Sequence, residues 1–151
     1  MARRLIPAFL ALILLVIPAT LALAQAQGMM ASVGIRLDPT YGQILTDSSG
    51  KTLYTNNGDP SMASTCTGTC ASAWPPLTID PSMMAGMDMS SMGMMMSGPL
   101  GTITRDDGST QVTWDGKPLY YFVRDQQPGD VNGNGAGATF GGFSVVALSG
   151  M

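Results

Sequence analysis

The chain has 151 residues, contains no histidine and carries two cysteines. These counts exclude Ser-His-Asp and Cys-His catalysis, haem attachment through C-x-x-C-H, and any zinc or Cu(II) site built on imidazole. Seven basic residues stand against ten acidic ones, for a net charge of −3, and the basic residues form no cluster, so we expect no nucleic-acid partner. Every acidic residue is Asp, and with 19 glycines this composition favours strands joined by turns over long helices.

The N-terminal segment has the order of a secretory signal peptide. Arg3 and Arg4 precede an apolar run at residues 5–23, and small residues that end at Ala26 follow it. This pattern predicts a signal peptide at residues 1–26, cleaved after Ala26, and a single secreted domain at residues 27–151. The alternative is an uncleaved anchor, because the apolar run approaches the length of a membrane span; we expect no other connection to a membrane.

Short stretches of alternating or β-branched residues predict strands along the rest of the chain, and turn residues separate them. A hairpin is expected around residues 47–50, and a short helical turn at residues 66–74, ended by two prolines. The predicted strands are residues 32–38, 41–46, 51–55, 101–105, 110–114, 118–123 and 143–148. The predicted fold class is therefore mainly β: a small antiparallel domain, sandwich-like or a meander, with an irregular Met-rich loop at residues 81–99.

The two halves of the predicted domain share a sequence echo. G-K-T-L-Y, which ends at Tyr54, returns as G-K-P-L-Y, which ends at Tyr120. Five residues after each tyrosine comes an aspartate, Asp59 in the first case and Asp125 in the second. Such an internal repeat predicts a domain built from two related hairpin units, with the Met-rich loop between them.

Four segments of the chain resemble a known family. They are L-T-D-S-S-G-K-T-L-Y at residues 45–54, C-T-G-T-C-A-S-A-W-P-P-L at residues 66–77, D-G-S-T-Q-V-T-W-D-G-K-P-L-Y-Y-F at residues 107–122 and P-G-D-V-N-G-N-G at residues 128–135. Together they resemble the bacterial secreted repeats of unknown function, often described as predicted lipoproteins. The resemblance implies an extracytoplasmic β-rich domain and implies no activity. Two features depart from the family pattern: no Cys follows the apolar run to carry a lipid, and the Met-rich loop is additional.

The Met-rich loop, residues 81–99, carries the clearest functional clue. Within residues 83–96, eight of fourteen positions are Met and none is Leu, Ile, Val or Phe. A segment that fills a core would use those residues, whose rotamers are better defined. Thioether sulfur is instead a soft ligand that suits Cu(I). The predicted copper ligands are Met83, Met84, Met87, Met89, Met92, Met94, Met95 and Met96.

Three other interpretations of this loop stay open. It could be a disordered low-complexity loop without a specific role. Because Met side chains adapt to many surfaces, it could also be an apolar contact surface for a partner. Finally, methionine oxidation would allow the loop to act as a sacrificial sink for oxidants.

The segment before the loop holds the remaining candidate residues. Cys66 and Cys70 are expected to form a structural disulfide, since an exported protein meets an oxidising compartment. The alternatives are two thiolates that join the methionines around copper, and catalytic thiol exchange, which the C-x-x-x-C spacing disfavours. Trp74 is expected to pack in the core. Because it precedes Met83 by nine residues, its ring face is also a candidate cap for the bound cation.

A second metal motif is weaker. Residues 130–135, D-V-N-G-N-G, match the opening of a calcium loop, but its twelfth position is Gly141, where a bidentate Glu is needed. Asn and Gly are also the usual residues of tight turns, and we favour that interpretation.

The sequence as a whole favours a secreted or periplasmic protein that binds Cu(I) through thioethers, as a copper sink, carrier or resistance factor, without catalysis. Its partners would be the metal ion and, in addition, an envelope protein. The alternative is a non-enzymatic cell-envelope interaction or structural module whose Met-rich loop is an apolar contact surface. Replacement of the methionines by Leu separates the two hypotheses, because Leu keeps an apolar contact and removes the copper ligands.

Overall fold

The computed structural model describes residues 33–80, called the first half below, and residues 99–148, called the second half. Most of their regular secondary structure is antiparallel strand, which confirms the predicted mainly β fold class. In chain order the elements are β1 (Val33–Asp38), β2 (Gly42–Asp47), β3 (Tyr54–Asn56), α1 (Thr69–Ala73), β4 (Thr78–Ile79), β5 (Leu100–Thr104), β6 (Thr110–Trp114), β7 (Lys117–Tyr120), a 3₁₀ turn (Ala138–Phe140) and β8 (Phe143–Val145). Among these residues no helix has the length and apolar character needed to span a membrane. The predicted signal peptide lies outside the described residues.

Two turns, one in each half, are stabilised by the same Asp–Ser hydrogen bonds. Asp47 Oδ1 accepts the backbone N–H of Ser49 at 2.8 Å and its hydroxyl at 2.7 Å. Asp107 Oδ1 accepts the N–H of Ser109 at 2.9 Å and its hydroxyl at 2.6 Å. A short side chain that bonds the backbone two residues on stabilises a reversal of the chain, which is why Asp, Ser and Gly mark these turns in the sequence.

The hairpin predicted around residues 47–50 forms only at its closed end. Thr46 is bridged to Thr52, and the N–H of Leu53 donates to the carbonyl of Leu45 at 3.0 Å. Beyond these residues the strands part: β2 pairs with β1 along its whole length, whereas β3 pairs with β7 and β8. The main hairpin of the first half is therefore β1–β2.

The strands form two antiparallel sheets. One sheet consists of β1 and β2, and the other has the strand order β4-β6-β7-β3-β8 with β5 on the second edge of β6. β4 and β7 share one edge of β6, because β4 pairs with its first residues (Thr78 with Gln111) and β7 with its last ones (Trp114 with Lys117). As a result, β5 and β4 flank β6 on opposite sides.

Each half of the chain completes the sheet of the other half. β4, from the first half, pairs with β6 of the second half. In return, the segment that follows β8 runs beside β2, where the N–H of Leu45 donates to the carbonyl of Val146 at 3.0 Å. Between the halves, Tyr54 of β3 lies directly opposite Tyr120 of β7. The two related units predicted from the sequence echo are present, and they are interlocked.

Two buried clusters hold the halves together. One contains aliphatic side chains: Leu45, Leu53, Leu77, Val112, Leu119 and Val146. The other is mainly aromatic: Tyr54, Cys66, Cys70, Trp74, Tyr120 and Phe143. Burial of one large apolar side chain stabilises a fold by roughly 1.5–3 kcal/mol. Since both clusters draw residues from both halves, separation of the halves would expose each cluster to water.

Candidate functional site

The Met-rich loop leaves and re-enters the fold on two strands that flank β6. β4 ends at Ile79, which pairs with Thr110, and β5 begins at Leu100, which pairs with Trp114. The eight predicted copper ligands, in residues 83–96, lie outside the described residues. The structure therefore describes the two strands that border the predicted copper site.

The residues that border the loop, Ile79 of β4 and Leu100 of β5, are called its anchors below. They lie close together compared with the length of chain between them. Two strand spacings of about 4.8 Å and four residues of about 3.3 Å along β6 place Ile79 and Leu100 roughly 16 Å apart. Residues 80–99 would reach roughly 65 Å if fully extended. The connection is long enough to fold around an ion while β4 and β5 stay paired with β6.

The two cysteines form the predicted disulfide. The Cα atoms of Cys66 and Cys70 are 5.1 Å apart, and the residues are 1% and 5% exposed. The bond closes a short loop at the start of α1 and belongs to the aromatic cluster. Because both sulfurs are used in this bond, neither is a thiolate that could join the methionines as a ligand.

Trp74 is covered by an aromatic ring on each face. Phe143 stacks on it with ring centroids 3.7 Å apart, and Phe122 stacks on it with centroids 4.3 Å apart. Two rings at these distances cannot fit side by side on one face of the indole, so they cover opposite faces. Trp74 is 1% exposed, and neither face is open to a cation. The structure favours the packing interpretation of Trp74 over the cation cap.

The tyrosines of the sequence echo bond to aspartates of the opposite half. Tyr54 OH donates to Asp125 Oδ2 at 2.5 Å, and Tyr120 OH donates to Asp59 Oδ2 at 2.5 Å. Burial, together with the bond to Asp59, raises the pKa of Tyr120 to about 12. Burial and the bond to Asp125 likewise raise the pKa of Tyr54 above its ordinary value. Both phenols therefore remain protonated hydrogen-bond donors at neutral pH.

The second oxygen of each aspartate organises the loop that follows it. Asp59 Oδ1 accepts the N–H of Thr65 at 2.8 Å and its hydroxyl at 2.7 Å, next to the disulfide. Asp125 Oδ1 accepts the N–H of Asn132 at 3.0 Å, in the Gly-rich loop. Sequence reasoning detected the equal Tyr–Asp spacing but missed these bonds, because the spacing does not show that each tyrosine contacts the aspartate of the other unit.

Comparison with families of known proteins explains the two interlocked halves. Residues 36–78 and residues 101–146 both match the secreted repeat of unknown function, and the two matches together cover more than half of the chain. The chain belongs to this secreted-repeat family. The first half is thus the first repeat and the second half is the second repeat. No curated protein and no solved structure shows significant similarity to the chain.

Membership of the secreted-repeat family supports an extracytoplasmic location, because the repeat is described as secreted. It also confirms the resemblance deduced from the four sequence segments. The Met-rich loop falls between the two matched repeats, in the stretch that neither match includes. The Met-rich loop therefore belongs to the connection between the repeats and to neither repeat.

A cleft of about 510 Å³ lies where the second repeat meets the segment before α1 of the first repeat. Arg105 lines this cleft and is 8% exposed. Its Nη1 donates to Ser64 Oγ at 2.8 Å and to Gln111 Oε1 at 2.5 Å, and its Nη2 donates to the carbonyl of Cys66 at 2.5 Å. Arg105 therefore fastens the second repeat to the disulfide segment of the first.

The loop that resembles a calcium site is organised as a turn. Asp130 Oδ2 accepts the N–H groups of Gln126 (2.8 Å) and Gln127 (3.0 Å), and Asn134 Oδ1 accepts the N–H of Val145 at 3.0 Å. Backbone groups thus occupy oxygens that a cation would need, which favours the turn interpretation. Within the described part of the chain, no group of three or more His, Cys, Asp or Glu side chains is placed to hold a metal ion.

Proposed function

We propose that this secreted-repeat protein binds Cu(I) through the methionines of its Met-rich loop, in the periplasm or after release from the cell. The observation that carries the proposal is the set of ligands available. Eight thioether sulfurs lie within residues 83–96, the chain has no histidine, and its two cysteines are joined in a disulfide. The abundant soft ligand of this protein is therefore thioether sulfur, and soft ligands select Cu(I).

The strands on either side of the loop support this function, because β4 and β5 are each held by pairing with β6. Both anchors lie on these strands, so the loop can change shape around an ion while the sheet keeps its hydrogen bonds. The proposed role is that of a copper sink, carrier or resistance factor. Cu(I) exchanges among thioethers in this role, and no substrate bond is made or broken.

Acidity separates thioethers from other copper ligands. A thioether does not titrate in the ordinary pH range, whereas a thiol or imidazolium must lose a proton before it binds a metal. Cu(I) held by the loop should therefore remain bound at about pH 4.5. Retention at neutral pH with loss at that lower pH would contradict thioether ligation.

The direct test is a titration of the mature, oxidised protein with Cu(I) against a competing chelator. A variant with Leu at all eight positions of the loop removes every thioether there and keeps side chains of similar volume. Met62→Leu is the matched control, because Met62 is 55% exposed and lies outside the loop. We expect tight binding in the native protein and in Met62→Leu, and none in the eight-Leu variant. Equal, weak binding in all three proteins would overturn the proposal.

A second candidate function is a non-enzymatic cell-envelope interaction module. β1 favours it, because Ile35 is 61% exposed and Leu37 is 76% exposed on the outer strand of the two-stranded sheet. In the second repeat the outer strand β5 has the polar Thr104 as its exposed residue. The partner would be an extended apolar segment of another envelope protein that lies along β1. The methionines of the loop would offer a second, adaptable apolar contact.

Sedimentation of the purified protein with isolated cell envelopes tests this second candidate. It expects the native protein and the eight-Leu variant to sediment with the envelopes, and Ile35→Thr combined with Leu37→Thr to stay in solution. Since Leu preserves an apolar surface, the eight-Leu variant separates contact from copper binding. Equal sedimentation of all three proteins would contradict a contact through β1.

A further inference from the structure

The side-chain contacts between the two repeats are reciprocal. Tyr54 of the first repeat bonds to Asp125 of the second, and Tyr120 of the second repeat bonds to Asp59 of the first, both at 2.5 Å. Tyr54 and Tyr120 lie opposite each other in the β3–β7 pair, so the four side chains surround a local twofold axis. Such reciprocity is characteristic of a symmetric dimer, in which residue i contacts j and j contacts i.

The backbone follows the same reciprocity. β4 of the first repeat lies on β6 of the second, and the segment after β8 of the second repeat lies on β2 of the first. Polar side chains also cross in both directions: Thr52 Oγ1 donates to the carbonyl of Asp130 at 2.6 Å, and Arg105 Nη2 donates to the carbonyl of Cys66 at 2.5 Å. Each repeat therefore obtains part of its sheet and part of its core from the other.

All of these contacts join residues of the two repeats, and none of the residues named belongs to the Met-rich loop. The loop connects the two repeats covalently and acts on their association as a tether, which raises the effective concentration of each repeat around the other. A surface that recognises a repeat through such contacts within one chain offers the same contacts to a repeat of another chain. The path of the loop would be the one difference.

We infer that each repeat is a recognition module for a complementary repeat, and that this recognition operates between two chains as well as within one. The partner is a second copy of this chain. In the resulting strand-exchanged dimer, the first repeat of each chain pairs with the second repeat of the other. This inference is independent of copper binding, because it rests on the contacts between β3, β4, β6 and β7 and on the Tyr–Asp pairs.

Cutting the loop of the folded, full-length protein tests whether the repeats recognise each other without the tether. A protease recognition sequence inserted between Ser90 and Ser91 permits the cut. We expect the two fragments to elute together at the mass of the uncut protein and to separate only in denaturant. Removal of the denaturant from the mixture should restore the fluorescence of buried Trp74. Fragments that separate on cutting, without denaturant, would overturn the inference.

The Tyr–Asp pairs should set the strength of this recognition. In the cut protein, Tyr54→Phe and Tyr120→Phe should each raise the Kd of the two fragments at least about tenfold, because each removes a hydrogen bond to a charged group. Ser109→Ala is the matched control, since its hydroxyl bonds to Asp107 within the second repeat. An effect of Ser109→Ala as large as that of either phenylalanine variant would overturn the assignment of recognition to these pairs.

A chain without residues 81–98 tests recognition between chains. Only residues 80 and 99 then remain between the anchors, and they span at most about 11 Å, less than the gap of roughly 16 Å. The two repeats of one chain can no longer pair as they do in the native fold. We expect the deletion variant to have twice the mass of a control in which a Gly/Ser connection replaces residues 81–98 at equal length. A folded deletion variant with the mass of the control would overturn the inference.

Discussion

The first repeat and the second repeat share the same Tyr–Asp spacing, but a different segment follows the aspartate in each repeat. After Asp59, the first repeat passes through the disulfide and α1 to Trp74, a large ring. After Asp125, the second repeat passes through a Gly-rich loop that lies against that ring. A Cβ atom added at Gly133 would lie 2.9 Å from Trp74 Cη2, and one added at Gly137 would lie 3.0 Å from Trp74 Nε1. The large ring of one repeat thus fills the space that absent side chains leave in the other.

This difference shows that the repeats are complementary and not interchangeable. Two first repeats would bring two Trp74 rings together without the glycines that receive them. Two second repeats would have the glycines and no ring to fill the space. The pairing of a first repeat with a second repeat is therefore the arrangement that packs densely, both within one chain and in the strand-exchanged dimer.

Removal of the ring should produce the largest loss of stability. Trp74→Ala would leave a cavity between Phe122 and Phe143, and such changes of buried Trp lower the free energy of unfolding by ~3–5 kcal/mol. Urea unfolding at neutral pH measures the loss. Trp114→Phe is the comparison, because Trp114 is only partly buried against the aliphatic cluster, and its loss should be smaller. A loss for Trp74→Ala no larger than that for Trp114→Phe would contradict the central place of the ring.

Addition of one methyl group opposite the ring should produce the next largest effect. In Gly133→Ala the new Cβ would lie 2.8 Å from Tyr54 Cζ and 2.9 Å from Trp74 Cη2. Overpacking of this kind lowers the free energy of unfolding by ~1–3 kcal/mol. Trp74→Phe makes room, so the double variant should lose less stability than the sum of the two single variants. Strict additivity in this double-mutant cycle would show that the glycine and the ring are not matched.

The two aspartate turns offer a finer comparison of the repeats. Asp47 Oδ2 accepts the hydroxyl of Tyr121 from the other repeat at 3.0 Å, whereas Asp107 Oδ2 lies 3.9 Å from Arg105 Nε and its side chain is 66% exposed. Burial by itself would raise the pKa of Asp47, but hydrogen bonds, led by that from the Ser49 hydroxyl, hold the pKa below its ordinary value. The Asp47 turn is therefore tied to the contact between the repeats, and the Asp107 turn is local.

Asparagine at these turns should give the smallest effect, and one that depends on pH. A carboxylate whose pKa is lowered in the folded protein stabilises the fold above its unfolded pKa of about 3.9, and this stabilisation is lost as the pH falls through the folded pKa. Asp47→Asn should lower the free energy of unfolding at neutral pH by about 0.5–1 kcal/mol, a modest value because the carboxylate is partly exposed. The difference from the native protein should shrink below about pH 4. Asp107→Asn should cost less than Asp47→Asn at neutral pH, and the reverse order would contradict the comparison.

The sequence predicted best those elements whose pairing is local. β1, β5 and β6 lie within two residues of the predicted strands, since alternation and turn residues define a hairpin without help from distant residues. β4 was missed, because a two-residue strand carries no pattern of its own. Its pairing depends on the space that β6 and β7 leave at one edge, which is a property of the assembled sheet.

The candidate site divides in the same way. The disulfide and the packed Trp74 follow from residue type and compartment, and both are present in the structure. The bonds of Tyr54 to Asp125 and of Tyr120 to Asp59 could not be predicted, because a repeated spacing does not distinguish contacts within a repeat from contacts between repeats. Copper ligation by the loop stays a prediction, since residues 83–96 lie outside the described part of the chain.

X-ray absorption at the copper edge tests the proposed thioether site most directly. The protein would be loaded with one equivalent of Cu(I), in parallel with Met62→Leu and the eight-Leu variant. We predict a Cu(I) edge and a first coordination shell of sulfur alone in the native protein and in Met62→Leu, because the loop supplies thioethers and the cysteines are joined to each other. A shell of nitrogen or oxygen in the native protein, or a sulfur shell that persists in the eight-Leu variant, would contradict copper binding by the Met-rich loop.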